Sequence, residues 1–247
     1  LNLPMPSTLQ LNRFYTKEFF QNIKSILAKD GIFSLSLPGS LSYISPQMRN
    51  LNATLLNTLR EILYVNIIPG DFNLYLASPN EFKINPQIFF ERLEEKGIQT
   101  KLLNRFHLEY RLHPRWLEWF MNSLSNYTQI RKNFDFLPSA TFYSIAYWNS
   151  IFSPRLQGVF RVLDKINFGF LLFCLSLSGL ILFIFKRFII KLKRFSVGFV
   201  IGTTGFVGMS LDLILIYAYQ SLYGFVFSHL ALLVTAFMTG LTFGGWL

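Results

Sequence analysis

The sequence predicts two regions of different physics: an α/β region built like the carboxyl half of a doubly wound sheet, then three membrane-spanning helices. Three observations predict this. Strand-like and helix-period apolar runs alternate through the first part of the chain. Charge is partitioned, with residues 1–166 holding 18 of the 23 Lys and Arg and 12 of the 13 Asp and Glu. Residues 167–185 then run for nineteen positions without a charge, enough for a helix to cross a hydrocarbon core about 30 Å thick.

The elements follow in order. Tyr15–Lys29 carries Phe19, Phe20, Ile23, Ile26 and Leu27 at helical spacing, and Asp30-Gly31 stops it. Ile32–Leu37 reads as a short buried strand, turned by Pro38-Gly39-Ser40. Gln47–Leu63 repeats the helical period through Met48, Leu51, Leu55, Leu59 and Ile62. Tyr64–Ile68 and Phe72–Ala77 read as strands whose short Pro69-Gly70-Asp71 connection makes them antiparallel neighbours. Asn85-Pro86 opens a helix that Gly97 closes, and His113-Pro114 opens another, through about Asn126. Strand, helix, strand and a terminal hairpin fit the second half of a doubly wound sheet. Such a sheet needs both faces covered. The chain starts at Leu1 and ends in an apolar run at Leu247, so we expect a piece of a longer protein whose missing amino-terminal part completes the sheet.

The expected division is an α/β domain over 1–152, a linker over 153–166 and a membrane region over 167–247. The spans fall at about 167–185, 196–219 and 225–247. Five cations between Lys186 and Arg194 separate the first two. The net charge of +10 is otherwise dispersed, which argues for a phosphate-rich lipid bilayer and against nucleic acid as partner. One cysteine, Cys174, supports neither a disulfide framework nor a thiolate metal site. His107 and His113 have no matching ligands in the sequence, so no metal is expected.

Within the spans, Gly198 with Gly202 and Gly240 with Gly244 form small-xxx-small pairs that suit close helix packing. Asp212 is the one acid there. A mid-span carboxylate must face protein or water, so it reads either as a polar site for an ion or substrate or as a structural hydrogen bond between helices. Orientation stays open on charge: the 186–194 cations favour the cytoplasm, but Arg155, Arg161 and Lys165 flank the other end of the first span.

Several segments resemble the spermidine synthase-like (polyamine aminopropyltransferase-like) proteins. These are Leu3-Pro4-x-Pro6-Ser7-Thr8 with Leu11–Phe20, Leu37-Pro38-Gly39-Ser40, Ile68-Pro69-Gly70-Asp71 through Ser78, and Asn133-x-Asp135-x-x-Pro138. Gly205-Phe206-x-Gly208-Met209 and Phe237-Met238-x-Gly240-Leu241 are similar to the transporter-like membrane half of a bacterial fusion of that domain. The resemblance implies a methyltransferase-type Rossmann-like fold, a bacterial inner (plasma) membrane location and a cytoplasmic soluble domain. It also implies aminopropyl transfer from decarboxylated S-adenosylmethionine, as co-substrate, to putrescine. The family's Asp-x-x-Asp-Pro carboxylates stand here as Asn2 and Met5, so no catalytic residue is expected in this chain. Its glycine-rich nucleotide turn would lie upstream, so no cofactor is expected here either. Tyr15 and Asp71 are the candidate substrate-binding residues, near the predicted carboxyl ends of the strands. Their plainer roles are a packed aromatic and a turn former. The rival reading is a transporter or membrane scaffold whose degenerate domain senses a polyamine or nucleotide.

Overall fold

A computed structural model describes the chain except residues 99, 101–103, 126–130, 167, 189–192, 224–226 and 247. The chain folds into two compact units, Leu1–Phe152 and Ser153–Leu247.

In the first unit a short helix α1 (Leu9–Asn12) leads into α2 (Lys17–Ile26), β1 (Phe33–Pro38), α3 (Pro46–Arg60), β2 (Tyr64–Ile68) and β3 (Phe72–Ser78). Then come α4 (Pro86–Glu95), α5 (Arg105–Arg111), α6 (Pro114–Ser125) and α7 (Ser139–Phe152). The helix starts are chemically marked. The Thr16 and Ser45 hydroxyls accept from the amides of Phe19 (3.3 Å) and Met48 (3.2 Å), and the Asn85 side chain accepts from Gln87 (2.9 Å). Each satisfies an amide that the first helical turn leaves without a partner. Proline at the start of α3 and α4 needs no such bond. Gly97 ends α4 at φ 61°, a left-handed conformation that suits glycine.

The three strands form one sheet in the order β1-β3-β2, with β3 antiparallel to both neighbours. β1 and β2 are thus parallel to each other, joined by the crossover helix α3, and kept apart by β3. The expected hairpin is present, because a three-residue connection allows only an antiparallel return. Direct parallel pairing does not occur among the described residues, since β3 takes the place between the two parallel strands.

The register places Phe33, Leu35 and Leu37 opposite Ala77, Tyr75 and Asn73 on one face. That face is buried and joins Leu51, Leu55 and Leu59 of α3, one turn apart, in a single apolar core. Each such leucine stabilises the fold by about 2 kcal/mol on burial. Behind α3 lies α7, whose Ala140, Thr141 and Ser144 are buried; small side chains there allow the two helices to pack closely. The opposite face, carrying Ser34, Ser36, Ile68, Leu74 and Leu76, is only half-buried.

In the second unit a 3-10 turn (Pro154–Leu156) precedes α8 (Gln157–Lys165), α9 (Phe168–Phe188), α10 (Lys193–Tyr223) and α11 (Phe227–Trp246). Residues 153–166, expected as a linker, are thus largely helical. Among the described residues one helix is long and apolar enough to cross a membrane, over Val200–Gln220. At 1.5 Å per residue its 21 residues reach about 30 Å. The other two expected spans carry shorter apolar stretches, Leu172–Ile181 and Ala231–Gly245. Among the described residues, a Cβ at Gly198, Gly202, Gly240 or Gly244 would meet nothing within 4 Å. At Gly208 the Phe237 ring of α11 lies 3.5 Å from the Cβ position, an ordinary van der Waals contact.

Candidate functional site at the carboxyl ends of the strands

The parallel strands β1 and β2 end at the Pro38-Gly39-Ser40 and Pro69-Gly70-Asp71 turns, and a buried polar network ties the two together. The Gly39 amide donates to the Asp71 carbonyl (2.8 Å). The Gly70 amide donates to Asn73 Oδ1 (3.2 Å), and Asn73 Nδ2 donates to Asn52 Oδ1 (3.0 Å). Asn52 Nδ2 in turn reaches the carbonyls of Pro38 (3.1 Å) and Met48 (2.8 Å), and the Tyr75 hydroxyl donates to Asn52 Oδ1 (2.7 Å). Asn52, Asn73 and Tyr75 are fully buried, and each finds partners, as buried polar groups must. Burial pushes the Tyr75 phenol far above its ordinary range, against a weaker pull from Arg60. It therefore acts as a neutral donor.

The turns approach one another so closely that position 39 requires glycine. A Cβ on Gly39 would overlap the Gly70 carbonyl and the Asn73 side chain. A Cβ on Gly70 would overlap the guanidinium of Arg111, the last residue of α5. The rim thus presents the exposed Asp71, the half-buried Arg111 and the Ser40 hydroxyl, which accepts from the amides of Ser42 and Tyr43 (both 3.2 Å). Asp71 stands in the β2–β3 turn, beside the carboxyl ends of β1 and β2 and the amino end of β3. Arg111, Asn52 and Asn73 were not anticipated. The available signal was Asn73, an asparagine at an inward position of a strand, where that residue is unfavourable without a partner.

Tyr15 takes the plainer of the two roles read for it, a packed aromatic. It is fully buried, and its hydroxyl donates to the carbonyls of Leu3 (3.1 Å) and Pro4 (2.9 Å). Burial pushes its phenol up to about 12. It holds the backbone between Asn2 and Met5. Asn2 is exposed, whereas Met5 is half-buried against the apolar core. A second anchor is Asn133, fully buried, whose amide nitrogen donates to Asn12 Oδ1 (2.9 Å) and the Tyr15 carbonyl (3.0 Å). Its oxygen accepts from Ala140 (3.0 Å), and its backbone amide donates to the Thr58 hydroxyl (2.9 Å). One residue so links α1, α3 and α7, and its backbone carbonyl also accepts from the amide of Lys17 at the start of α2 (2.9 Å).

In α10, Asp212 is partly buried, and its Oδ1 is shielded from solvent and has no hydrogen-bond partner among the described residues. Two turns further on, Tyr219 stacks on His229 of α11, ring centroids 5.9 Å apart. A separate groove of about 580 Å³ opens at the amino end of β1, lined by Lys29, Ile32, Leu76, Lys83, Ile88 and Arg92. Among the described residues no three His, Cys, Asp or Glu side chains converge as a metal site. No protein-family model matches the sequence, and no curated protein matches it.

Proposed function

We propose that this is a membrane-bound, spermidine synthase-like protein whose α/β unit has lost aminopropyl transfer and serves as a binding domain for a polyamine. The domain is read as the carboxyl half of a Rossmann-like, methyltransferase-type sheet. Two parallel strands joined by a crossover helix, with a returning hairpin strand, support that reading. The apolar Val200–Gln220 helix supports a bilayer location. The bacterial plasma membrane, with the α/β unit on the cytoplasmic side, follows from the resemblance.

The observation that carries the proposal is the state of the acid motif. Aminopropyl transfer forms a carbon–nitrogen bond at the carbon beside a sulfonium, breaks the carbon–sulfur bond and releases a thioether. The attacking amine must give up a proton, and a cationic polyamine must be held. Asn2 accepts a hydrogen bond but balances no charge and takes no proton. Met5 does neither, and its side chain is packed on the core. Asp71 is left as the carboxylate at the strand ends that can pair with an ammonium group.

Purified protein is offered decarboxylated S-adenosylmethionine and putrescine, and putrescine binding is measured by calorimetry. The expected result is binding that weakens in Asp71→Asn, with no turnover. Turnover by the natural sequence, or the absence of binding, refutes the proposal. A second reading, polyamine transport, is favoured by the unpartnered oxygen of Asp212. It requires uptake into vesicles that Asp212→Asn abolishes.

A further inference from the structure

From α8 we infer a surface-lying helix: Gln157–Lys165 rests on the bilayer, its apolar side in the acyl boundary and its cations on anionic headgroups. This rests on the membrane reading above and adds the partner of one face. At 3.6 residues per turn, Leu156, Val159, Phe160, Val162, Leu163 and Ile166 fall within one arc about 160° wide. Gln157, Arg161, Asp164 and Lys165 fill the other side. Four residues of the arc are exposed, Leu156, Val159, Val162 and Leu163 at between 45% and 62%, while Phe160 and Ile166 are half-buried. In water such a stripe is a liability; at an interface it is the driving force.

The charge pattern selects the occupant. Arg155, Arg161 and Lys165 are exposed, and Asp164 is the one acid among residues 154–166. A protein groove lined with carboxylates would also attract these cations. The position of the stripe, however, is next to α9, which begins at Phe168 and carries the apolar stretch Leu172–Ile181. A helix of this kind, ending in a basic residue just before an apolar helix, meets the headgroup layer.

The test uses full-length protein with Cys174→Ser, reconstituted in phosphatidylglycerol-containing vesicles. A nitrobenzoxadiazole fluorophore is attached at Leu163→Cys or, across the helix, at Arg161→Cys. The expected result is a blue-shifted emission at position 163 that brominated lipids quench, and a water-like, unquenched emission at 161. Replacing the anionic lipid by phosphatidylcholine reduces the quenching at 163. Equal quenching at both positions, a blue shift at 163 that lipid does not quench, or insensitivity to lipid charge overturns the inference. Where the protein withstands carbonate extraction but position 163 is unquenched, only the placement of α8 fails. If carbonate releases the protein, the membrane reading fails with it.

Discussion

Removing Asn52 exposes how the two turns at the carboxyl ends of the strands are held. Asn52→Leu keeps the approximate volume but deletes the acceptor for the Tyr75 hydroxyl and the Asn73 amide, along with two bonds to carbonyls. Asn73 Nδ2 retains a weak bond to the Pro38 carbonyl (3.4 Å), whereas the Tyr75 hydroxyl has no second partner among the described residues. An orphaned buried donor costs about 1–3 kcal/mol, and a simple lost bond about 1 kcal/mol. Asn52→Leu is therefore expected to destabilise by about 3 kcal/mol and Tyr75→Phe by about 1 kcal/mol. With phenylalanine at 75 there is no hydroxyl to orphan, so the double variant loses about 2–3 kcal/mol, less than the sum. The assay is urea unfolding of the four proteins in detergent, followed by the fluorescence of Trp116, Trp119 and Trp148, all in the first unit. Additive losses, agreeing within about 0.5 kcal/mol, would falsify the network account.

The remaining predictions concern the loops. Tyr15, pushed up to about 12 by burial, contributes stability in full below the unfolded phenol value near 10 and loses it as pH climbs towards the folded value. Urea midpoints at pH 8 and pH 11 should show a fall that is smaller, though not absent, in Tyr15→Phe, because the Tyr75 phenol is raised in the same direction; an undiminished fall contradicts the assignment. Gly39→Ala meets rigid backbone and should destabilise by about 1–3 kcal/mol, as overpacking does. Gly70→Ala meets only the end of a flexible arginine and should unfold closer to the parent, with Arg111 displaced; equal losses at the two glycines would count against the stated contacts.

Local chemistry made much of the α/β unit legible. Asn85-Pro86 marks a helix start, where the Asn85 side chain accepts from Gln87, and Pro69-Gly70-Asp71 forces a hairpin because it is too short for anything else. Strand order was hidden for a physical reason. Whether β3 lies beyond β2 or between β2 and β1 depends on which free edge offers the better ladder, and no local signal encodes that. Helix α7 escaped periodicity because apolar residues surround it, so no stripe stands out. α8 read as linker because its charges are dense over a short length, although its apolar residues keep the helical spacing. At the site, Asp71 was legible as a polar residue at a turn. Arg111 and the Asn52–Asn73–Tyr75 bonds were not, since their partners come from separate elements.

The position of Met5 bears most directly on function, and it can be tested apart from any assay of activity. A carboxylate that holds a polyamine must face the ligand and stay solvated or paired. Met5 instead packs on the core that includes Tyr15, Phe20 and Phe33. If that packing is now what the position does, Met5→Leu, close in volume, changes stability by less than about 1.5 kcal/mol. Met5→Asp sets a charge against apolar neighbours and destabilises by about 1–3 kcal/mol, more at neutral pH than near pH 4, where the carboxyl is protonated. Asn2→Asp, at an exposed position, stays within about 0.5 kcal/mol of the parent. Should Met5→Asp unfold with the parent at both pH values, the side chain at position 5 is free to face a ligand. The proposed replacement of an acid at this position would then be a change of chemistry alone, with no packing role behind it.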